Sequence, residues 1–408
     1  MSVITVFSGN FCKEDSVVQE VINSTGYRLV TDKSLVSDAT RLSDMAEGKI
    51  ERAFSATTSV FNKFTHEKER AIAYLRLVLA ETLSDDNLVI SGFSGQLIPK
   101  EVSHVLRVCL IADLKFRTKV AAEEQGLSEK EAVKLMHNED NDRAAWVNTL
   151  FGNKDPWAAS LYDIVIPMDK KDVTEAAALI IKNLDSDVVK TTESSKKAVE
   201  DFLLAAKVEV ALVKEGHSAG VNVKDGSVKL SINKHVLMLG RLEEELKSIV
   251  SRVPGVKAVV TKVGKGFHKT DVYRKVDLET PSKVLLVDDE REFVETLSER
   301  LIMREMGSAV TYDGESALEL ISKDEPEVMI LDLKMPGIDG IETLRRVKQT
   351  NPKIEVIILT GHGSEADRKV CMDLGAFAYL HKPVDIELLS DTLKKANEKI
   401  QQKKEQKG

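Results

Sequence analysis

The sequence predicts a multidomain α/β protein with a doubly wound parallel sheet towards its carboxyl end. Three observations carry this expectation. Short apolar runs closed by turn residues, such as Val328-Met329-Ile330-Leu331 before Asp332, alternate with helical patterns in both halves of the chain. Between those halves, an Asp225-Gly226 pair flanked by alternating apolar residues marks a hairpin of a smaller α+β unit. A chain of 408 residues can bury two or three separate cores.

In chain order, a strand is expected over residues 3–7, then a glycine-containing loop and a helix over 16–24. Further strands are expected over 88–91, 105–112 and 163–167, with helices over 114–124, 129–137 and 172–184. Strand, glycine loop and helix form the layout in which a helix amino terminus holds phosphate. The loop Ser8-Gly9-Asn10-Phe11-Cys12-Lys13-Glu14-Asp15-Ser16 departs from that chemistry. Counting from Gly9, Glu14 and Asp15 stand where a backbone-exposing Gly and a phosphate-seeking Lys are needed. Two acids there repel phosphate. They also suit the positive end of a helix, each by about 0.3–1 kcal/mol, so a capped helix is the simpler expectation. Lys13 and Ser16 remain as candidate ligand groups.

Leu106-Arg107-Val108-Cys109-Leu110-Ile111-Ala112-Asp113-Leu114-Lys115-Phe116-Arg117, Asn138-Glu139-Asp140-Asn141-Asp142-Arg143 and Leu161-Tyr162-Asp163-Ile164-Val165 resemble the cytidylate-kinase-like branch of the P-loop nucleoside monophosphate kinases. The resemblance covers residues 1–185 and implies ATP and CMP as ligands, with Arg117 and Arg143 matching arginines that reach phosphates from the lid side. The acidic loop and Gly92-Phe93-Ser94-Gly95, where the family tends to carry an arginine, depart from the pattern. These departures point to a retained fold without catalysis and argue against ATP or CMP binding. His66, set among charges in Thr65-His66-Glu67-Lys68-Glu69-Arg70, is expected on a solvated helix face.

Residues 186–197 are polar and read as a linker. Over 198–275 the pattern gives a helix at 202–213, a hairpin at 221–232, a helix at 236–253 and a strand at 256–263. That α-β-β-α-β order, with the Asp-Gly hairpin and Pro254-Gly255 before the last strand, resembles the BON domain. The resemblance implies attachment to a membrane or envelope component; a compact spacer without a ligand is the alternative. A second linker is expected over 276–282.

The last unit, residues 283–400, carries the chemistry. Four strand-like runs end on Asp288-Asp289, on Asp332, on Thr360-Gly361 and on Lys382-Pro383. In an open parallel sheet those ends lie side by side. Three carboxylates at one edge repel each other and predict a hard cation, Mg2+. Asp332 is then the candidate nucleophile for a phosphoryl group, with Thr360 and Lys382 holding the transferred oxygens.

Asp288-Asp289, Asp332 with Lys334-Met335-Pro336-Gly337, Thr360-Gly361, and Tyr379 before Lys382-Pro383 resemble the receiver domain of two-component response regulators, a flavodoxin-like fold. The resemblance makes Asp332 the phosphoacceptor and makes Asp288, Asp289, Asp332 and the Lys334 carbonyl the Mg2+ ligands. Tyr379 becomes the aromatic that reorients with Thr360. It also implies a sensor histidine kinase or phosphotransfer protein as partner, autodephosphorylation, and a homodimer through the receiver.

A net charge of −8 argues against a broad nucleic-acid footprint, and no helix-turn-helix pattern is evident. The lysines of the last helix and of the basic tail, 401–408, suit the negative end of a helix. There is no signal-peptide pattern and no apolar run of membrane-spanning length. The three cysteines are odd in number and far apart, which points to a reducing cytoplasm, and the eight histidines lack metal-ligand spacing. The expected function is phosphorelay signalling to a non-DNA-binding, kinase-like amino-terminal region. A receiver-regulated nucleotide kinase using Lys13 and Ser16, and a scaffold attached to a membrane or partner, are the alternatives.

Overall fold

The structure is a computed structural model that describes residues 2–405 apart from 185, 187–188, 235, 237, 265–280, 282, 305 and 362. Most of the stretch expected as the second linker lies outside the described residues. The chain divides into two compact units, Met1–Thr58 with Glu67–Tyr273, and Ser59–His66 with Arg274–Gly408.

The first unit contains β1 (Val3–Ser8), β2 (Arg28–Thr31), β3 (Leu88–Ser91), β4 (Val105–Ile111) and β5 (Ile164–Pro167). They form one parallel sheet in the order β2-β3-β1-β4-β5. Every residue of β1 is buried, as expected of a central strand covered on both faces. Its period-two pleat sends Val3 into one core with Leu88, Ile90 and Val105, and Ile4 and Val6 into the other with Val89, Leu106 and Val108. The helix Glu14–Thr25 covers the second face through Val17, Val18 and Val21.

Two expected helices extend well beyond their expected bounds. The helix expected over 129–137 runs from Glu129 to Phe151, straight through the polar run at 138–142. Burial of Met136, Arg143, Trp146 and Val147 along one side outweighs the weak propensity of Asn and Asp there. The polar stretch read as a linker over 186–197 contains a capping box on Thr192 and Ser195, and the helix Glu193–Lys214 begins there. Phe202, Ala206 and Val210 of that helix join the core of Leu75 and Leu79, while Val208 and Leu212 face Val228, Leu230 and Ile232.

After this helix come β6 (Gly220–Lys224), β7 (Ser227–Ile232), the helix Leu239–Ser251 and β8 (Ala258–Val263), in the expected α-β-β-α-β order. Asp225 and Gly226 turn the hairpin with φ of 55° and 81°, a pair of left-handed residues that matches the twist of the flanking strands.

The second unit holds β9 (Val284–Val287), β10 (Ser308–Thr311), β11 (Val328–Leu331), β12 (Glu355–Thr360) and β13 (Ala378–His381). All pair in parallel in the order β10-β9-β11-β12-β13, a flavodoxin-like sheet. β9, β11 and β12 are buried along their whole length. The strand order reverses between β9 and β11, so their carboxyl ends flank the crevice where such sheets place ligands. His66 is 3% exposed, with φ of 47°, so the expectation of a solvated helix face is wrong. Among the described residues no helix is long and apolar enough to cross a membrane.

Candidate functional site

The carboxyl ends of β9 and β11 bring Asp288, Asp289 and Asp332 together, with ligand oxygens that all lie within 4.8 Å of one another. Asp288 and Asp332 are buried, and Asp289 is exposed at the mouth. Backbone bonds fix both buried acids in register: Asp332 N–H donates to Val287 O at 2.9 Å, and Asp288 N–H to Thr311 O at 3.2 Å. Their carboxylates are oriented locally as well. Asp332 Oδ2 accepts from Lys334 N–H, and Asp288 Oδ1 from Glu290 N–H, each at 3.0 Å.

Lys382 arrives from the end of β13, tied by its N–H to Thr360 O at 2.9 Å. Its Nζ is 2.7 Å from Asp288 Oδ2 and 2.7 Å from Glu290 Oε1, and it lies over the Phe293 ring at 4.4 Å. Burial pushes the Asp288 carboxyl above its ordinary range despite the Lys382 ammonium, with the charge of Asp332 adding to the rise. Burial alone would lower Lys382, but its bonds to Asp288 and Glu290 outweigh that and hold its pKa high. Acid and base move in the same direction for different reasons: burial disfavours the charged carboxylate of Asp288, whereas the neighbouring carboxylates favour the charged ammonium of Lys382. Buried and exposed carboxylate oxygens with one compensating ammonium form a donor set suited to a hard divalent cation.

Thr360, at the end of β12, is fully buried. Tyr379, on β13, packs against the core that includes Leu331, Ile358 and Cys371. The sequence reading had placed Asp288, Asp289, Asp332, Thr360, Tyr379 and Lys382 at these strand ends. It missed Glu290 and Phe293, which complete the surroundings of the Lys382 ammonium and carry no local signal.

The amino-terminal candidates are distributed differently. Ser16 is exposed on the first turn of its helix. Lys13 has left-handed φ of 56° and lies 5.9 Å from the Phe116 ring centroid, beside a cavity of about 550 Å³ lined also by Asp169, Lys170 and Lys171. Arg117 is consumed internally: its Nε donates to Asn10 O at 2.7 Å, and its two terminal nitrogens bind Asp140 at 2.8 and 2.9 Å. Arg143 donates from Nε to Ser8 O at 2.6 Å and from Nη1 to Glu139 at 3.0 Å. Both arginines are buried.

Glu14 is no helix cap, and the N-cap position, Lys13, makes no side-chain cap bond. The Glu14 side chain turns inward to accept from the hydroxyls of Ser8 and Ser91, at the ends of β1 and β3. Asp32 accepts from Phe93 N–H at 2.7 Å and Ser94 N–H at 2.8 Å. Burial raises both carboxyl pKa values, and the bonds they accept oppose the rise. Ser91 and Asp32 escaped the sequence reading because their partners are remote in the chain, 77 residues away for Ser91 and 61 and 62 for Asp32.

Comparison with known proteins follows this division. The response regulator receiver domain matches residues 284–394, and the cytidylate kinase-like family matches residues 3–170. The transcriptional regulatory protein CpxR of Escherichia coli is 45% identical over 102 residues, which cover 25% of this chain and 43% of that protein. Response regulator MprA of Mycolicibacterium vanbaalenii is 36% identical over 109 residues, 27% of this chain and 47% of its own length. The chain thus spans less than half the length of these curated relatives. Among solved structures, the receiver domain of NtrX from Brucella abortus is 26% identical, covering 28% of this chain and 98% of that one, with a TM-score of 0.27. The carboxyl-terminal region is a response regulator receiver domain. The amino-terminal sheet carries the cytidylate kinase-like match.

Proposed function

We propose that this chain is a two-component response regulator that accepts a phosphoryl group on Asp332. The observation that carries this reading is the convergence of Asp288, Asp289 and Asp332, with Lys382 bound to Asp288. An Asp332 carboxylate oxygen attacks phosphorus of a phosphohistidine on a histidine kinase or phosphotransfer protein. The P–N bond breaks, and its electron pair returns to an imidazole that is protonated on its other nitrogen and leaves neutral. The product is an acyl phosphate on Asp332, with Lys382 and Thr360 next to the strand end that bears it. Mg2+ held by Asp288, Asp289, Asp332 and the Lys334 carbonyl would supply positive charge against the phosphoryl oxygens.

Full-length protein incubated with a small acyl phosphate and Mg2+ is expected to gain one phosphoryl group in its intact mass, and Asp332→Asn to gain none. Equal labelling of Asp332→Asn would refute the assignment.

For the amino-terminal region we favour a kinase-like fold without turnover over residues 1–185, followed by a small unit over 198–275 and the receiver over 283–400. Arg117 and Arg143 bonded to loop carbonyls and to Asp140 and Glu139 support that reading. The output is then a protein contact or homodimer rather than DNA binding, in the cytoplasm. The BON-like unit and its membrane or partner attachment are part of this proposal, supported by the α-β-β-α-β order.

A further inference from the structure

Gly363 lies in the loop between β12 and the helix Glu365–Asp373. Its backbone is outside the left-handed region, so conformation does not demand a glycine there. Space does. A Cβ built on Gly363 would overlap the Tyr379 hydroxyl oxygen, stand 3.0 Å from Tyr379 Cζ and lie 2.9 Å from Thr360 Cγ2. Tyr379 therefore points inward, over the missing side chain of residue 363 and alongside Thr360.

The inward pose carries a cost that confirms how tightly it is enclosed. The Tyr379 hydroxyl is buried, and among the described residues it has no hydrogen-bond partner. Such a group loses its water without compensation, so ring packing must hold it in place. Tyr379 contributes that packing to the core around Leu331, Ile358 and Cys371. A small loss of room at residue 363 would tip the balance, because the alternative, a ring turned out to water, restores the hydroxyl's hydrogen bonds.

We infer that Gly363 is a positioning residue that admits Tyr379 to the inward pocket beside Thr360. The link to signalling rests on the phosphoacceptor reading; the pose of Tyr379 does not. Because the pocket exists by virtue of the absent Cβ, the inward ring depends on residue 363 rather than on a hydrogen bond of the Tyr379 hydroxyl. Any side chain at 363 shifts Tyr379 outward and separates it from Thr360, while Asp332 and the acid cluster keep their surroundings.

The test uses full-length protein labelled with 3-fluorotyrosine, with the Tyr379 line among six tyrosines assigned by its loss in Tyr379→Phe. In the unphosphorylated wild type that 19F line should have little H2O-to-D2O shift, and in Gly363→Ala it should acquire the shift of an exposed tyrosine. A thermal melt of the same samples checks folding. Gly363→Ala should lower the melting midpoint markedly beside Tyr379 and much less in a Tyr379→Phe background, where the overlapping oxygen is gone. A Tyr379 line unmoved by Gly363→Ala, or equal loss of midpoint in both backgrounds, overturns the inference. Labelling by a small acyl phosphate, run on the same samples, fails in the wild type only if the phosphoacceptor reading is wrong, and leaves the 19F result standing.

Discussion

Lys382 Nζ is held 2.7 Å from Asp288 Oδ2 and, on its other side, 2.7 Å from Glu290 Oε1. One ammonium thus neutralises part of a three-carboxylate cluster from inside the protein. A divalent cation among those acids would be repelled by it, and a phosphoryl group on Asp332 would be attracted to it.

The two effects of Lys382 separate on substitution. Lys382→Gln is expected to bind Mg2+ several-fold more tightly, tenfold for each 1.4 kcal/mol or so of repulsion removed. The same variant should take up less phosphoryl group from a small acyl phosphate, because the charge that meets the product oxygens is gone. Calorimetric titration of Mg2+ and intact-mass labelling read the two changes. Weaker Mg2+ binding in Lys382→Gln would mean that the ammonium organises the acids rather than opposing the metal.

Glu355 opens β12 with its side chain 1% exposed, and the last helix closes over it. Its oxygens lie 2.8 Å from Lys403 Nζ and 3.0 Å from Lys399 Nζ, with Lys348 at 3.9 Å. Burial would raise this carboxyl, but the three ammonium groups prevail and hold it below its ordinary 4.5. A depressed acid contributes stability that is present above pH 4.5 and is lost as pH falls through its folded value. Lys399 and Lys403, the two closer lysines, are about half exposed, so Glu355→Gln should cost only about 1–2 kcal/mol at pH 7. Amide exchange in the last two turns of the helix Ile386–Glu405 should speed up in the variant at pH 7. The difference from wild type should vanish under acid conditions; a difference that persists there would assign the effect to packing.

Gly92 follows β3 with φ of 113°, and an added Cβ would run into the Asp32 carboxylate, 2.6 Å from its Cγ. Asp32 holds the N–H groups of Phe93 and Ser94, so the glycine permits the clasp that shapes this loop. Gly92→Ala combines a left-handed backbone with loss of both bonds and should destabilise by about 2–4 kcal/mol in chemical denaturation. A loss below about 1 kcal/mol would mean that the loop has another stable arrangement.

What the sequence made legible follows from where each signal resides. β9, β11 and the middle of β12 are uninterrupted apolar runs and β1 is nearly so, because both faces are covered, and that pattern is visible in about four residues. β2 and β10 went unread because neither holds an apolar run longer than two residues: Arg28 and Leu29 of β2 face solvent, and β10 is Ser308-Ala309-Val310-Thr311. The helix Glu67–Thr82 buries Ala71, Ala73, Tyr74, Leu75, Val78, Leu79 and Ala80, too broad a face to give a clean helical stripe. The receiver acids were readable because they follow buried strands directly, Asp288 and Asp289 after β9 and Asp332 after β11. Glu14 stands in the first turn of its helix as expected, but its inward bonds were hidden because one of its partners, Ser91, is 77 residues away. Burial of His66 is likewise a tertiary fact that its charged neighbours concealed.

Arg143 offers the sharpest distinction between a nucleotide site and a self-contained fold. Its guanidinium donates to Ser8 O at 2.6 Å and to the Glu139 backbone at 2.9 Å, and it lies over the Phe93 ring at 5.2 Å. Beside it, Trp146 Nε1–H donates to Phe93 O at 2.9 Å, so the same loop is held twice from one helix. Removing the guanidinium leaves a buried carbonyl without its donor and opens space over an aromatic ring. Arg143→Ala is therefore expected to lower stability by about 2–4 kcal/mol. The full-length wild type is expected to give no saturable heat with ATP or CMP in the presence of Mg2+. If the wild type instead binds nucleotide and Arg143→Ala loses that binding while melting normally, the arginine serves phosphate rather than the loop. The receiver-regulated kinase would then be the correct reading.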